Sequence, residues 1–229
     1  MRLEPLEHGV RVALALLCVF IFAPAWAQPA APGAGPTVLT GTQAAYSLAK
    51  ALTSGTPVEV VNVPADGRQF SLLKDYIERR KEALAPTFES ATAAITLTNA
   101  LPGDPLYRLA RDANIRIVDI EAAVPWSLDR PGVALADSPA SNVTWGRDTD
   151  VAETATAPYF WLSVSNAIRM GDIVAHDLAA LFPDSGATIT KNLDGFKRSL
   201  LALRNESQGR LIASGIGRLW QRHRKRDAR

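Results

Sequence analysis

Between residues 37 and 120, short runs of β-branched residues alternate with helical patterns, and that alternation narrows the choice of fold more than any other feature of the chain. A run at 37–40 precedes a helical pattern over 42–53, and 57–63 follows with Val58, Val60, Val61 and Val63. Around 72–84, Leu72, Leu73, Tyr76, Ile77 and Leu84 share one side, while Lys74, Asp75, Arg79, Arg80 and Lys81 face solvent. A strand at 93–98, a helix at 105–113 and a strand at 115–120 complete the series. Parallel neighbours need a crossover, so strands separated by helix-length segments read as βαβ units. The expected fold is α/β: a small parallel four-stranded sheet flanked by helices, in a single lobe. Ligands of such sheets collect beyond the carboxyl ends of the strands, which directs attention to 41–42, 64–69, 99–104 and 121–126.

The start of the chain points to export. Arg2 and Arg11 precede an apolar run over 12–22, and Pro24 and Ala25-Trp26-Ala27 follow, the pattern of a signal peptide over 1–27 with cleavage after Ala27. The run is shorter than the roughly 20 apolar residues a spanning helix needs, and no later segment is apolar enough to span a membrane. Cys18, the only cysteine, leaves with that segment, so neither disulfides nor thiolate ligands are expected afterwards. Residues 28–36 are Pro, Ala and Gly apart from Gln28, and read as a flexible leader. The charge of the remainder is close to balanced, which gives no reason to expect nucleic acid as a partner. Arg218, Arg222, Arg224, Lys225, Arg226 and Arg229 crowd the last residues, and 207–229 reads as a basic, solvated C-terminal tail.

Beyond residue 120 the pattern changes. Residues 122–157 lack periodicity and carry Pro125, Pro131, Gly132, Pro139 and Gly146, which makes a long loop. Residues 166–181 are helical, with Pro183 as the stop and Asp184 or Ser185 as the next N-cap. Ile189, Leu193, Phe196, Leu200 and Leu203 then lay one apolar stripe along a long helix expected to pack back on the sheet. The lobe is expected to close with this linking helix near residue 206.

At Pro158-Tyr159-Phe160-Trp161-Leu162, then Asn166-Ala167, Met170, 181–184, Asn192 and Phe196, the chain resembles the zinc/manganese/iron-type periplasmic solute-binding proteins of ABC transporters, the ZnuA-like family. The order of the early strands and helices, the turn at Gly55 and Pro64 agree with that family's opening. The resemblance runs from about residue 37 to 204. It implies an N-terminal lobe with its linking helix, a periplasmic location and a role in binding rather than turnover.

The departures from the family bear most on function. Its members hold their ion with histidines from both lobes and a carboxylate from the second. By that resemblance Arg68 and Tyr159 stand where the first-lobe histidines are expected, and the second lobe is not represented. A guanidinium stays protonated and repels a cation, and a phenol coordinates poorly until it loses its proton, so no metal ligands and no cofactor are expected here. After residue 27 the histidines are His176 and His223. His176 sits beside Asp177 in a helix with no second histidine one turn away, and His223 lies among arginines. No Gly-x-Ser-x-Gly elbow, phosphate loop or dinucleotide fingerprint is present, which argues against an enzyme.

The aromatic group Trp126, Trp145, Tyr159, Phe160 and Trp161, with Arg68, forms the candidate ligand site, shaped for an organic anion such as a metal chelate. The competing reading makes Trp161 a core residue and the loop tryptophans covers for apolar surface. The functional expectation is an accessory, periplasmic solute-binding-type protein of a metal or metal-chelate (siderophore) ABC system. Its expected partners are the permease or a full-length periplasmic metal-binding protein. Two alternatives stand beside it: a true divalent-metal binder rebuilt from Asp66, Asp104, Glu121 or Asp148, and a truncated relative without function.

Overall fold

The computed structural model describes residues 35–65, 70–135 and 159–214. Strands β1 (Thr37–Thr40), β2 (Glu59–Asn62), β3 (Ala91–Thr96) and β4 (Val118–Glu121) form one parallel sheet in the order β2-β1-β3-β4. The helices are α1 (Gln43–Leu52), α2 (Leu73–Arg79), α3 (Lys81–Ser90), α4 (Leu106–Arg111), α5 (Val164–Leu181) and α6 (Gly186–Ala213). The expected α/β lobe with its long linking helix is therefore present.

Alternation along the strands sends neighbouring side chains to opposite faces and so builds two cores. Val38, Val60, Ala93, Ile95 and Ile120 meet α1, α5 and the start of α6, whereas Leu39, Val63, Ala91 and Ala94 meet α2, α3 and α4. Near-continuous apolar strands follow from burial on both faces. The chain leaves β1 in one direction to reach β2, then crosses back to β3. The carboxyl ends of β1 and β3 thus flank the point where connections diverge, the usual place for a ligand in open α/β sheets.

Local signals explain most boundaries. Thr42 caps α1 by accepting from the Ala45 amide at 3.2 Å, and Gly55 turns the chain into β2 at φ +75°, where a side chain would be strained. Pro36, read from sequence as leader, already accepts from the Glu59 amide at 2.9 Å, so the ladder begins one residue earlier. The single helix expected at 72–84 is two helices with a break at Arg80, and the second continues to Ser90 through Pro86. Pro86 sits six residues into α3, past its first turn, so the helix forgoes the one bond that would run from this residue to the Glu82 carbonyl.

Pro183 ends α5 as expected. Ser185 occupies the cap position of α6, but its side chain makes no capping bond. Asn192 Nδ2 instead reaches across to the carbonyls of Leu52 and Ser54 at 2.9 and 2.8 Å, tying α6 to the end of α1. A Cβ on Gly171 would lie 3.1 Å from the Phe196 ring and 3.3 Å from Leu193, so this glycine sets the close approach of α5 and α6. The helix continues past Ser207, where a tail was expected, to Ala213. The apolar stripe weakens there, but Arg204, Glu206, Gln208 and Arg210 are good helix formers and sustain the helix in solvent.

Candidate functional site

The strand ends carry three carboxylates, and backbone amides engage both oxygens of two of them. Asp104 accepts from the Leu97 amide at 3.0 Å and the Leu106 amide at 3.1 Å, closing the loop between β3 and α4. Glu121 accepts from the Asn99 and Ala123 amides, both at 2.9 Å, joining the exits of β3 and β4. Asp119 accepts from the Thr96 hydroxyl at 2.7 Å. Burial pushes all three carboxyls above their ordinary values, and the amide and hydroxyl donors oppose it; Glu121, with Asp119 and Asp104 nearby, is raised to about 7. Among the described residues, no group of three or more His, Cys, Asp or Glu side chains is placed to hold a metal ion.

The aromatic corner ahead of α5 is built differently. Phe160 is buried against the core and begins a short 3₁₀ turn, Phe160–Leu162. Asn166, buried one turn into α5, donates to the Phe160 carbonyl at 3.0 Å and the Ala134 carbonyl at 2.8 Å, and accepts from the Ala134 amide at 3.1 Å. That anchor fixes the turn, and with it Tyr159 and Trp161. Their rings meet edge to face at 5.6 Å, and Trp161 meets Phe160 the same way at 5.2 Å. Trp161 is partly buried against the core, while Tyr159 is 66 % exposed.

Trp126 stands elsewhere. Its indole N–H donates to the Asp119 carbonyl at 2.9 Å and so covers the free edge of β4. Its backbone faces Asp177, eleven residues and about 16 Å along α5 from Asn166. The structure thus brings Tyr159 and Trp161 together and leaves Trp126 at a separate place. Arg68 and Trp145 lie outside the described residues, as do Asp66 and Asp148. Residues 122–135 of the expected long loop are fixed: Val133 donates to the Ala123 carbonyl at 2.9 Å, and Arg169 Nη1 donates to the Gly132 carbonyl at 3.0 Å.

Sequence reasoning passed over Asp119, and Asp177 was named only as a neighbour of His176. Asp177 is fully buried; Oδ1 lies 3.0 Å from His176 Nδ1, and Oδ2 has no partner in hydrogen-bonding geometry. Burial raises its pKa, and His176, the Trp126 amide and Arg130 oppose that rise. The signal was available: Asn166, Met170, Ile173, Val174, Asp177 and Leu178 follow one helical face, so two polar residues stand within a core stripe. Elsewhere a hollow of about 310 Å³ is lined by Leu72, Asp75, Tyr76, Arg79 and Arg80, with the Arg80 guanidinium 4.8 Å from the Tyr76 ring centre.

The fold and this strand-end rim define a lobe of the solute-binding type. Residues 38–214 match the family described as zinc-uptake complex component A, periplasmic, and the chain belongs to that family. Its members are periplasmic solute-binding proteins of metal ABC transport, not a family of enzymes. Among solved structures, the chain is similar to a zinc-bound variant of AdcAII from Streptococcus pneumoniae, with 18 % identity, a TM-score of 0.57, and coverage of 79 % of this chain and 60 % of that one. FpvC from Pseudomonas aeruginosa in complex with Mn2+ gives 19 %, 0.55, 77 % and 55 % for the same quantities. A zinc-bound deletion variant of ZnuA gives 20 %, 0.54, 75 % and 56 %. The chain thus spans between 55 % and 60 % of the length of these relatives. No curated protein matches significantly. No described helix is long and apolar enough to cross a membrane.

Proposed function

We propose that this protein is an exported, periplasmic accessory component of a metal or metal-chelate ABC transport system, one that binds without enclosing a bare ion in a histidine cage. The observation that carries the reading is the contrast at the rim. Asp104 and Glu121 each have both oxygens engaged by backbone amides, while Tyr159, at the position the family resemblance assigns to a histidine, presents an exposed phenol beside Trp161. An exposed phenol on an aromatic platform suits an organic face, such as a siderophore-type chelate, or a protein surface better than a bare divalent cation. Arg68 would add the cationic element and Trp145 a further apolar contact, while Trp126, set apart at the β4 edge, is left out of this surface. The partners in this reading are the permease, a full-length periplasmic metal-binding protein, or the chelate itself, and the role is binding rather than turnover.

The test is to purify the exported protein from its host, measure bound metal by mass spectrometry, and assay co-purification with a full-length binding protein of the same system. The expected outcome is substoichiometric metal on the lone protein and recovery of the binding protein or permease with it. Stoichiometric zinc or manganese on the lone protein would overturn the reading in favour of a rebuilt carboxylate site. Absence of metal, chelate and partner alike would leave a relative without a transport role.

A further inference from the structure

Residues 124–131 form a small flap at the free edge of β4. Its stem is closed on the body: Ala122 donates to the Thr96 carbonyl and Ala123 to Glu121, while Val133 returns to the Ala123 carbonyl, each at 2.9 Å. Ends joined in this way belong to an Ω-like loop, whose tip can lift without unpicking the stem. Ser127 Oγ accepts from the Asp129 amide at 3.3 Å, a turn internal to the flap, and Val124, Leu128 and Asp129 are exposed. Trp126 ties the tip down at two points. Its indole N–H donates to the Asp119 carbonyl, and its backbone amide faces Asp177 of α5.

The second point is a buried acid with an unmet oxygen. Asp177 is fully buried, its Oδ1 lies 3.0 Å from His176 Nδ1, and its Oδ2 has no partner in hydrogen-bonding geometry. An ionised carboxylate so placed is costly, and a neutral one far less so. Burial accordingly raises the Asp177 pKa. The charged groups that act on it are His176 from its own helix and Arg130 from the flap, and both, like the Trp126 amide, favour the anion. On the neighbouring elements, β4 carries Asp119 and Glu121, already engaged by the Thr96 hydroxyl and by amides, and α6 carries Lys197, paired with Asp172 of α5. A lifted flap lets water reach the carboxyl, so the closed flap binds the Asp177 proton more tightly than the open one. By linkage, closure is favoured as pH falls and weakens as pH rises through the pKa that Asp177 has under the closed flap. The His176 ring is partly exposed and gives the proton a route to solvent.

We propose that Asp177, with His176 beside it, is a proton-operated latch on this flap. Protonated, Asp177 lets the flap close with Trp126 over the β4 edge; ionised and short of one partner, it favours an open flap in which water solvates the carboxylate. Opening bares the unpaired backbone of an edge strand. The latch does not depend on the transport role proposed above.

The indole N–H resonance of Trp126 in the full-length mature chain tests it, assigned by its loss in Trp126→Phe and followed from about pH 4 to 8. Circular dichroism reports that each variant folds. The resonance is expected to move with one midpoint from a bonded position at low pH to a solvent-exposed one at high pH. Asp177→Asn, a neutral isostere, should hold the bonded position at every pH. His176→Gln and Arg130→Gln remove groups that favour the anion, so each should shift the midpoint to higher pH; these two shifts decide the matter should Asp177→Asn fail to fold. Asp119→Asn should leave the midpoint in place, since the indole bond uses the Asp119 backbone carbonyl. A resonance that does not titrate overturns the proposal, as does one that still titrates, or is exposed throughout, in Asp177→Asn. So does a transition lost in Asp119→Asn, or a midpoint that either Gln variant leaves in place or lowers.

Discussion

The carboxylates near the ends of β3 and β4 lie on the rim where open α/β sheets gather ligands, and the aromatic corner ahead of α5 is the contact surface proposed above, yet the two use their polar atoms in opposite ways. At the strand ends, Asp104 and Glu121 each clamp two backbone amides, and their charge is expensive enough that burial holds Glu121 protonated up to about pH 7. At the corner, buried Phe160 and Asn166 do the anchoring, which leaves Tyr159 exposed and uninvolved in the core. The difference teaches that acidic residues on a ligand-binding rim are not by themselves a site. What matters is whether their oxygens still need partners.

Substitutions can break or sharpen this contrast. The largest expected effect is that of Phe160→Ala, which empties a core position and should cost about 3 kcal/mol in urea unfolding, collapsing the corner with it. Asp104→Ala should follow at about 2–3 kcal/mol, because the Leu97 and Leu106 amides lose their acceptors. If that variant instead lost bound metal at unchanged stability, the strand-end carboxylates would be ligands and the contrast would fail. Asn166→Ala should cost about 1–2 kcal/mol and loosen the turn, seen as a change in tryptophan fluorescence.

A smaller effect is expected in pH dependence. The unfolded chain releases the Glu121 proton near 4.5 and the folded chain holds it to about 7, so the folded state binds more protons in that window. Stability should therefore rise as pH falls from 7.5 to 4.5, with Asp104, Asp119 and Asp177 contributing in the same sense. Glu121→Gln should flatten the slope of the urea midpoint against pH; an unchanged slope would remove Glu121 as its origin. The smallest effect on stability, within about 0.5 kcal/mol, is expected for Tyr159→Ala, which should nevertheless abolish binding of a chelate or partner if the corner is the contact surface.

The layered fold was legible because its cause is local: valine-rich runs, helical spacing and the stops at Gly55 and Pro183 are all written along the chain. The pairing of Tyr159 with Trp161 was legible too, since they are two residues apart. The use of Asp104 and Glu121 was not. Each bonds an amide seven or more residues away, through a loop whose path no periodicity records. The separation of Trp126 from Tyr159 was hidden for the same reason, because it depends on how far along α5 the loop is pinned.

The sequence by itself determined a parallel α/β lobe with a long helix after it, because alternation of side-chain pattern dictates which faces must be buried. Only the tertiary structure decided which polar groups at the strand ends remain available, and where α5 stops covering α6. Those outcomes depend on distances between segments far apart in the chain, and hydrophobic spacing carries no measure of them.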